Sequence, residues 1–310
     1  MTREFYRSRG GQETDHDKII RQGVEDLGTK RSSEQEPPTE ALPFLRFVQD
    51  FPYQWINAEF EEIQKRTDTK FEEVITGPTN IFWDNEVEEL GSYNLSLNLI
   101  TLNPAKIEQR VKEGVFFGIP EDIYRKFLVE RIITHEAVHA YAKNVCYGTE
   151  IIRQDNPSPQ TKYKTQTGIH SETYSYPAGE DQLKLDKQEF KLLNEGITDW
   201  IADDLFDLLL ESRGDSNNEV VNECKNLFTV QIAPYEEAKD LFCEFLYKIS
   251  EDTGVDIYTA YTAFVRQYHA EGQLDKELQN WLSGLKGKRI FNKIKNGKYF
   301  QEFADISEAA

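Results

Sequence analysis

The stretch EDIYRKFLVERIITHEAVHAYAKNV, residues 121–145, constrains this chain most. It follows Pro120, opens with Glu121 and Asp122, and meets no glycine before Gly148. Proline suits the entry to a helix, and acids in the first turn complement the helix dipole. The spacing therefore predicts one long helix running toward Gly148. Ile132, Ile133 and Val138 around its centre suit a buried helix, which needs other elements to cover it. DKQEFKLLNEGITDWIADDLFDLLLE, residues 186–211, predicts a second long helix with Asp186 as its N-cap.

The other segments arrange themselves around these two. Residues 1–40 are charged, hold Gly, Ser and Pro, and lack periodicity, as a disordered polar leader does. Order is expected from Ala41, and 310 residues suffice for one large domain or two intimately packed lobes. Trp55, Ile56, Phe60 and Ile63 mark one face of a helix in PYQWINAEFEEIQKRTDT. KFEEVITG and NIFWDNEVEEL read as short strands separated at Gly77-Pro78. SYNLSLNLITLNP alternates, with Leu95, Leu97 and Leu99 on one side and Asn94, Ser96 and Asn98 on the other. It reads as a single strand with a polar face, ended by Pro104. Residues 149–185 lack clear periodicity and read as a long loop, and the region to about Trp281 reads as further helices. The expected class is α+β: a lobe of sheet and long helix over 41–148, then a helical lobe over 186–310.

Charge narrows the partners. With 55 acidic against 36 basic residues the net charge is −19, which disfavours nucleic acid and anionic membranes. No run of eighteen apolar residues exists, and the N-terminal residues MTREFYRSRGGQETDHDK hold no signal-peptide core. Cys146, Cys224 and Cys243 are scattered and form no CxxC pair, as in a reducing compartment. The basic run GLKGKRIFNKIKNGK near the C-terminus reads as a solvated face, with an anionic docking patch as the alternative. Nothing in the sequence signals an oligomeric state.

The chemistry lies within the first helix. His135 and His139 are four apart, so their imidazoles share a face and can converge on one cation. Glu136 projects about 100° around the helix from His135. Its carboxylate therefore sits beside such a cation rather than on it, where it can take a proton from a bound water. HExxH thus carries a zinc mechanism as well as a pattern; a chance match in an ordinary core helix is the alternative. Catalytic zinc takes three protein ligands plus water. LLNEGITDW supplies Glu195 and Asp199, also four apart, one able to reach a metal and the other to hydrogen-bond a ligating histidine. Gly196, costly in mid-helix by about 1 kcal/mol relative to Ala, fits a place where helices or a ligand crowd the backbone. Cys146 near the His pair is a further candidate ligand.

HEAVH followed by NEGITD resembles the gluzincin metallopeptidases, the thermolysin-like class. The resemblance covers two short motifs, with weaker likeness over residues 93–200. It implies His135, His139 and Glu195 as ligands of one Zn2+ per chain, Glu136 as general base, and Asp199 as the partner of a zinc histidine. The stretch from His139 to Glu195 is longer than in thermolysin, so 149–185 resembles an insertion. A metzincin pattern needs glycine and histidine where Ala142 and Val145 stand. An aspzincin pattern needs an aspartate where Glu150 follows Gly148-Thr149, and a deformylase-like site needs an upstream cysteine.

Zincins hold peptide substrates along an edge strand, and the Asn98-containing strand occupies that place in order; an interior strand is the alternative. Candidates to stabilise an oxyanion are His170, Tyr174, Tyr176, Tyr235 and His269, with Asn98, Tyr235 and His170 the expected substrate contacts. The resemblance implies a zinc metalloendopeptidase acting on peptides or proteins. It would work in the cytoplasm, or after export without a cleaved signal, as a toxin or effector would. The competing expectation is a zincin-fold protein that binds zinc and acts through partners.

Overall fold

The computed structural model describes residues 37–67, 75, 77–94, 99–142, 144–153, 156–175, 184–231, 233–270, 276, 278, 280 and 281. The fold is α+β and mostly helical, as the element pattern predicts. The described residues fall into two compact units, one within Ser32–Tyr141 and Glu195–Cys243, the other within Ala142–Asn194 and Glu244–Ala310.

In the first unit a 3-10 turn, Thr39–Phe44, leads into α1 (Leu45–Gln49) and α2 (Tyr53–Thr67). The expected apolar face of α2 is real: Ile56 and Phe60 are fully buried, Trp55 and Ile63 half-buried. β1 (Ile81–Trp83), β2 (Gly91–Asn94) and β3 (Leu99–Leu102) form a sheet in the order β1-β3-β2. β1 runs parallel to β3 with Ile81 opposite Ile100, and β2 antiparallel with Gly91 opposite Leu102. The alternating segment is therefore two paired strands rather than one. Its first part, β2, lies at the sheet edge, and its second part, β3, is central with Ile100 and Leu102 buried. Most of KFEEVITG lies outside the described residues.

Asn103 then caps α3 (Pro104–Phe116), a helix the sequence reading did not include. Its Oδ1 accepts from Lys106 N at 3.0 Å, and its Nδ2 donates to the carbonyls of Asn85 (3.0 Å) and Val87 (2.8 Å), tying down the approach to β2. α4 (Glu121–Tyr141) is buried at every residue from Phe127 to Val138, so it is the central rod of this unit. Phe127 meets Phe206 of α5 (Lys191–Ser212) and Phe228 of α6 (Glu219–Gln231), ring centroids 5.2 and 5.9 Å away. Tyr141 stacks on Phe60 at 3.9 Å. α7 (Ala233–Thr253) packs on α5 at Gly196: a Cβ there would collide with the Ala238 carbonyl and lie 2.9 Å from Phe242 Cβ. The crowding expected at this glycine is present.

α4 stops at Tyr141, short of the expected end, because Asn144 opens a strand and inter-strand pairing overrides the helical reading of the last turn. Residues 149–185 are mostly sheet rather than loop. β4 (Asn144–Arg153), β5 (Asn156–Thr167), β6 (His170–Ser175) and β7 (Lys184–Glu189) pair antiparallel in chain order in the second unit. Asp186 lies within β7, so it caps no helix, and α5 begins at Lys191. In the same unit Phe264 of α8 (Ile257–Ala270) packs on Phe245, centroids 5.8 Å apart. Among the described residues no helix is long and apolar enough to cross a membrane.

Candidate metal centre

The last two turns of α4 carry His135 and His139, and the second and third turns of α5 carry Glu195 and Asp199. Each pair shares a helix face through its four-residue spacing. Apolar burial of both helices leaves these polar groups facing one another: His135 is 8% exposed, Glu136 5% and Asp199 1%.

His135, His139 and Glu195 each offer a ligand atom, all within 4.8 Å of one another. Glu195 Oε2 is 3.3 Å from His139 Nε2 and 3.7 Å from His135 Nε2. Two ligands each ~2 Å from a tetrahedral cation lie ~3.3 Å apart, so these gaps have the width an ion would span. The imidazoles are turned 73° to each other, centroids 5.0 Å apart, with both Nε2 atoms toward the glutamate. Among the described residues this is the one such group of His, Cys, Asp or Glu.

The other nitrogen of His135 is engaged too. His135 Nδ1 lies 2.9 Å from Asp199 Oδ1, which fixes the ring and leaves Nε2 for the shared space. Thr198 Oγ1 is 3.5 Å from His139 Nδ1, a looser version of the same arrangement. Burial disfavours charge on His135, but the hydrogen bonds to Asp199 and Glu195, and then the Asp199 and Glu136 charges, outweigh it and push its pKa up to about 10. Burial likewise works against ionised Asp199. The His135 hydrogen bond and the Arg131 charge win, holding its pKa at about 2. Glu195 is held well below the usual carboxylate range, against its burial, by His139 and His135.

Glu136 differs. Burial raises its pKa, and the nearby histidine charges only partly offset this. Its carboxylate lies beside the start of the edge strand: a Cβ added at Gly91 would be 3.2 Å from Glu136 Oε1 and 2.5 Å from Ile132 Cγ2. Glycine is what lets the β2 backbone approach this closely. A cavity of about 30 Å³ lies there, lined by Leu90, Gly91, Ile132, His135, Glu136 and Asp199 among others. It has room for water but not for a side chain.

Of the other expected contacts, Asn98 and Tyr176 lie outside the described residues, as do the side chains of Tyr235 and Cys146. His170 belongs to the second unit, on β6, with Nε2 3.6 Å from Glu172 Oε1. Tyr174 donates to Glu172 Oε2 at 2.5 Å, and His269 is buried in α8 of that unit. Among the residues that touch the site and escaped the sequence reading are Gly91, Arg131 and Thr198. For Arg131 a signal existed: an arginine inside an apolar helix, one turn before His135, requires a buried partner. No protein-family model, no curated protein and no solved structure matches this chain.

Proposed function

We propose that the chain is a zinc-dependent metallopeptidase of the gluzincin kind, a hydrolase of peptide bonds in peptides or proteins. The observation that carries this reading is the division of labour among buried and half-buried groups. Three donors converge within 4.8 Å, Asp199 engages the far nitrogen of His135, and Glu136 stands beside the cluster without joining it. A structural metal site has no use for that last carboxylate.

In this reading His135, His139 and Glu195 would hold one zinc ion, which when bound would supply a Lewis acid and lower the pKa of a water toward about 7. Asp199 keeps His135 oriented with Nε2 toward Glu195. Glu136 takes the proton from the attacking water and returns it to the departing amine. Burial helps, because a carboxyl whose pKa lies above the usual value holds a proton more readily between those two steps. β2, an edge strand of its sheet among the described residues, runs beside Glu136 and is where an extended peptide would pair in this reading. Scattered cysteines fit work in a reducing cytoplasm, that of the producing cell or of another cell into which the protein is delivered.

The test measures zinc content and cleavage of casein and a peptide library on wild type, His135→Ala, Glu195→Ala and Glu136→Gln. Ligand variants should lose zinc; Glu136→Gln should keep it and lose cleavage by about 10²–10⁴-fold. Wild type without stoichiometric zinc overturns the reading, and zinc without cleavage of any substrate moves the function to partner binding.

A further inference from the structure

Arg131 is a charged residue in the middle of the helix stretch that is buried at every residue from Phe127 to Val138, its side chain 4% exposed. Four helices of one unit meet around it. From α4 its Nη2 donates to Asp199 Oδ1 at 3.0 Å and to Asp203 Oδ1 at 2.6 Å, both on α5. Its guanidinium carbon lies 5.5 Å from the centre of the Phe228 ring on α6. From α7, Lys239 Nζ donates to the other oxygen of Asp203 at 2.6 Å. Two cations and two carboxylates thus alternate from the half-exposed Lys239 inward to Asp199, which meets His135.

We infer that Arg131 is a positioning residue of the metal centre, acting on His135 through Asp199. This rests on the proposed zinc reading. Asp199 Oδ1 receives both His135 and Arg131, so the guanidinium fixes where that oxygen stands and hence how the imidazole is aimed. Asp203 and Lys239 in turn fix the guanidinium. Arginine suits the role because its rigid planar head holds Nη2 between the two carboxylates while lying against the Phe228 ring, which the flexible point charge of a lysine does not. Outer partners of metal ligands commonly govern affinity by about 10–100-fold.

The test is zinc affinity by chelator competition on metal-free protein, with unfolding measured on the same samples. Arg131→Met should bind zinc about 10–100-fold more weakly, and Arg131→Lys should recover only part of that. In an Asp199→Asn background the further change Arg131→Met should cost less than about threefold, because the two act as one unit. Arg213→Met serves as a control. It removes the 2.8 Å pairing with buried Glu130, also on α4, and should lower stability while leaving zinc affinity in place. If Arg131→Met does not fold, Arg131→Lys and the Asp199→Asn/Arg131→Lys pair give the same comparison. Unchanged affinity in a folded Arg131 variant, or a full loss that persists without Asp199, overturns the inference alone. Wild type that binds no zinc overturns the metal reading itself, and this inference with it.

Discussion

His135 Nδ1 and Asp199 Oδ1 stand 2.9 Å apart although 64 residues separate them in sequence. The contact joins α4 to α5 inside one unit and holds a hydrogen on Nδ1, so the proton a metal would displace is the one on Nε2, facing Glu195. Asp199→Asn offers the ring an amide that can donate to Nδ1, which favours hydrogen on Nε2, where a metal must bind. Zinc affinity is expected to fall about 10–100-fold with little change in secondary structure. Chelator competition checks this, and an unaltered affinity would show that the aspartate does not orient the ligand.

Metal loading should release protons. His135 has a pKa of about 10 in the metal-free protein, so at neutral pH its ring is charged and must lose a proton to bind zinc. Calorimetry in buffers of different ionisation enthalpy should give buffer-dependent heats near one proton, and affinity rising about tenfold per pH unit around neutrality. For the metal-free fold the sign runs the other way. A raised pKa means His135 adds stability in full below its unfolded value of about 6.5, and that stability is lost as the pH climbs through about 10. Heats independent of buffer would contradict both statements.

Glu136→Gln should make the metal-free protein more stable. Burial raises the Glu136 pKa, so ionising this carboxyl is a cost to the fold that an isosteric amide relieves. The melting temperature should rise by a few degrees at pH 7, and the gap to wild type should narrow as the pH falls toward the carboxylate range and Glu136 becomes protonated. Scanning calorimetry at pH 5 and 7 decides it. A variant less stable than wild type at pH 7 would mean the carboxylate is structural.

At Gly196 two effects compete. Alanine gains about 1 kcal/mol in helix propensity, whereas forcing a methyl against the backbone carbonyl of Ala238 and Phe242 Cβ costs about 1–3 kcal/mol. The carbonyl belongs to a packed helix and cannot swing aside, so Gly196→Ala should lower the urea midpoint. Zinc binding should weaken as well, because Glu195 is the preceding residue. A higher midpoint would show that α7 yields.

Much of this site is legible in the residues. Four-residue spacing puts His135 above His139 and Glu195 above Asp199 wherever those segments are helical, and both segments carry strong helical signals. Gly196 announces close packing because only a crowded backbone justifies its cost. Arg131 is harder, since a lone arginine names the need for an anion but not which one, and Asp199 and Asp203 lie on another helix.

The sheet β4–β7 is the part that stays hidden. KYKTQT and HSETYS place polar side chains at odd and even positions alike, so no period-two contrast marks them. Their order comes from backbone pairing between neighbours, such as Thr167 opposite His170, which one-dimensional hydropathy does not register. The division of YNLSLNLITLN into β2 and β3 is hidden for the opposite reason. Alternation persists across the break, and only the pairing of Asn94 with Leu99 shows that the chain has turned back.

The chain leaves the unit of His135 and His139 at Tyr141 and re-enters it at Glu195, so everything between His139 and Glu195 except the end of α4 is an excursion into the other unit. Closing a loop costs entropy that grows only with the logarithm of its length, about 0.6 kcal/mol per doubling. Such an excursion can lengthen, shorten or be exchanged over evolutionary time at small thermodynamic expense. The number of residues separating the two ligand motifs is then a poor guide to kinship, whereas the spacing inside each motif, locked to the pitch of its own helix, has no such freedom.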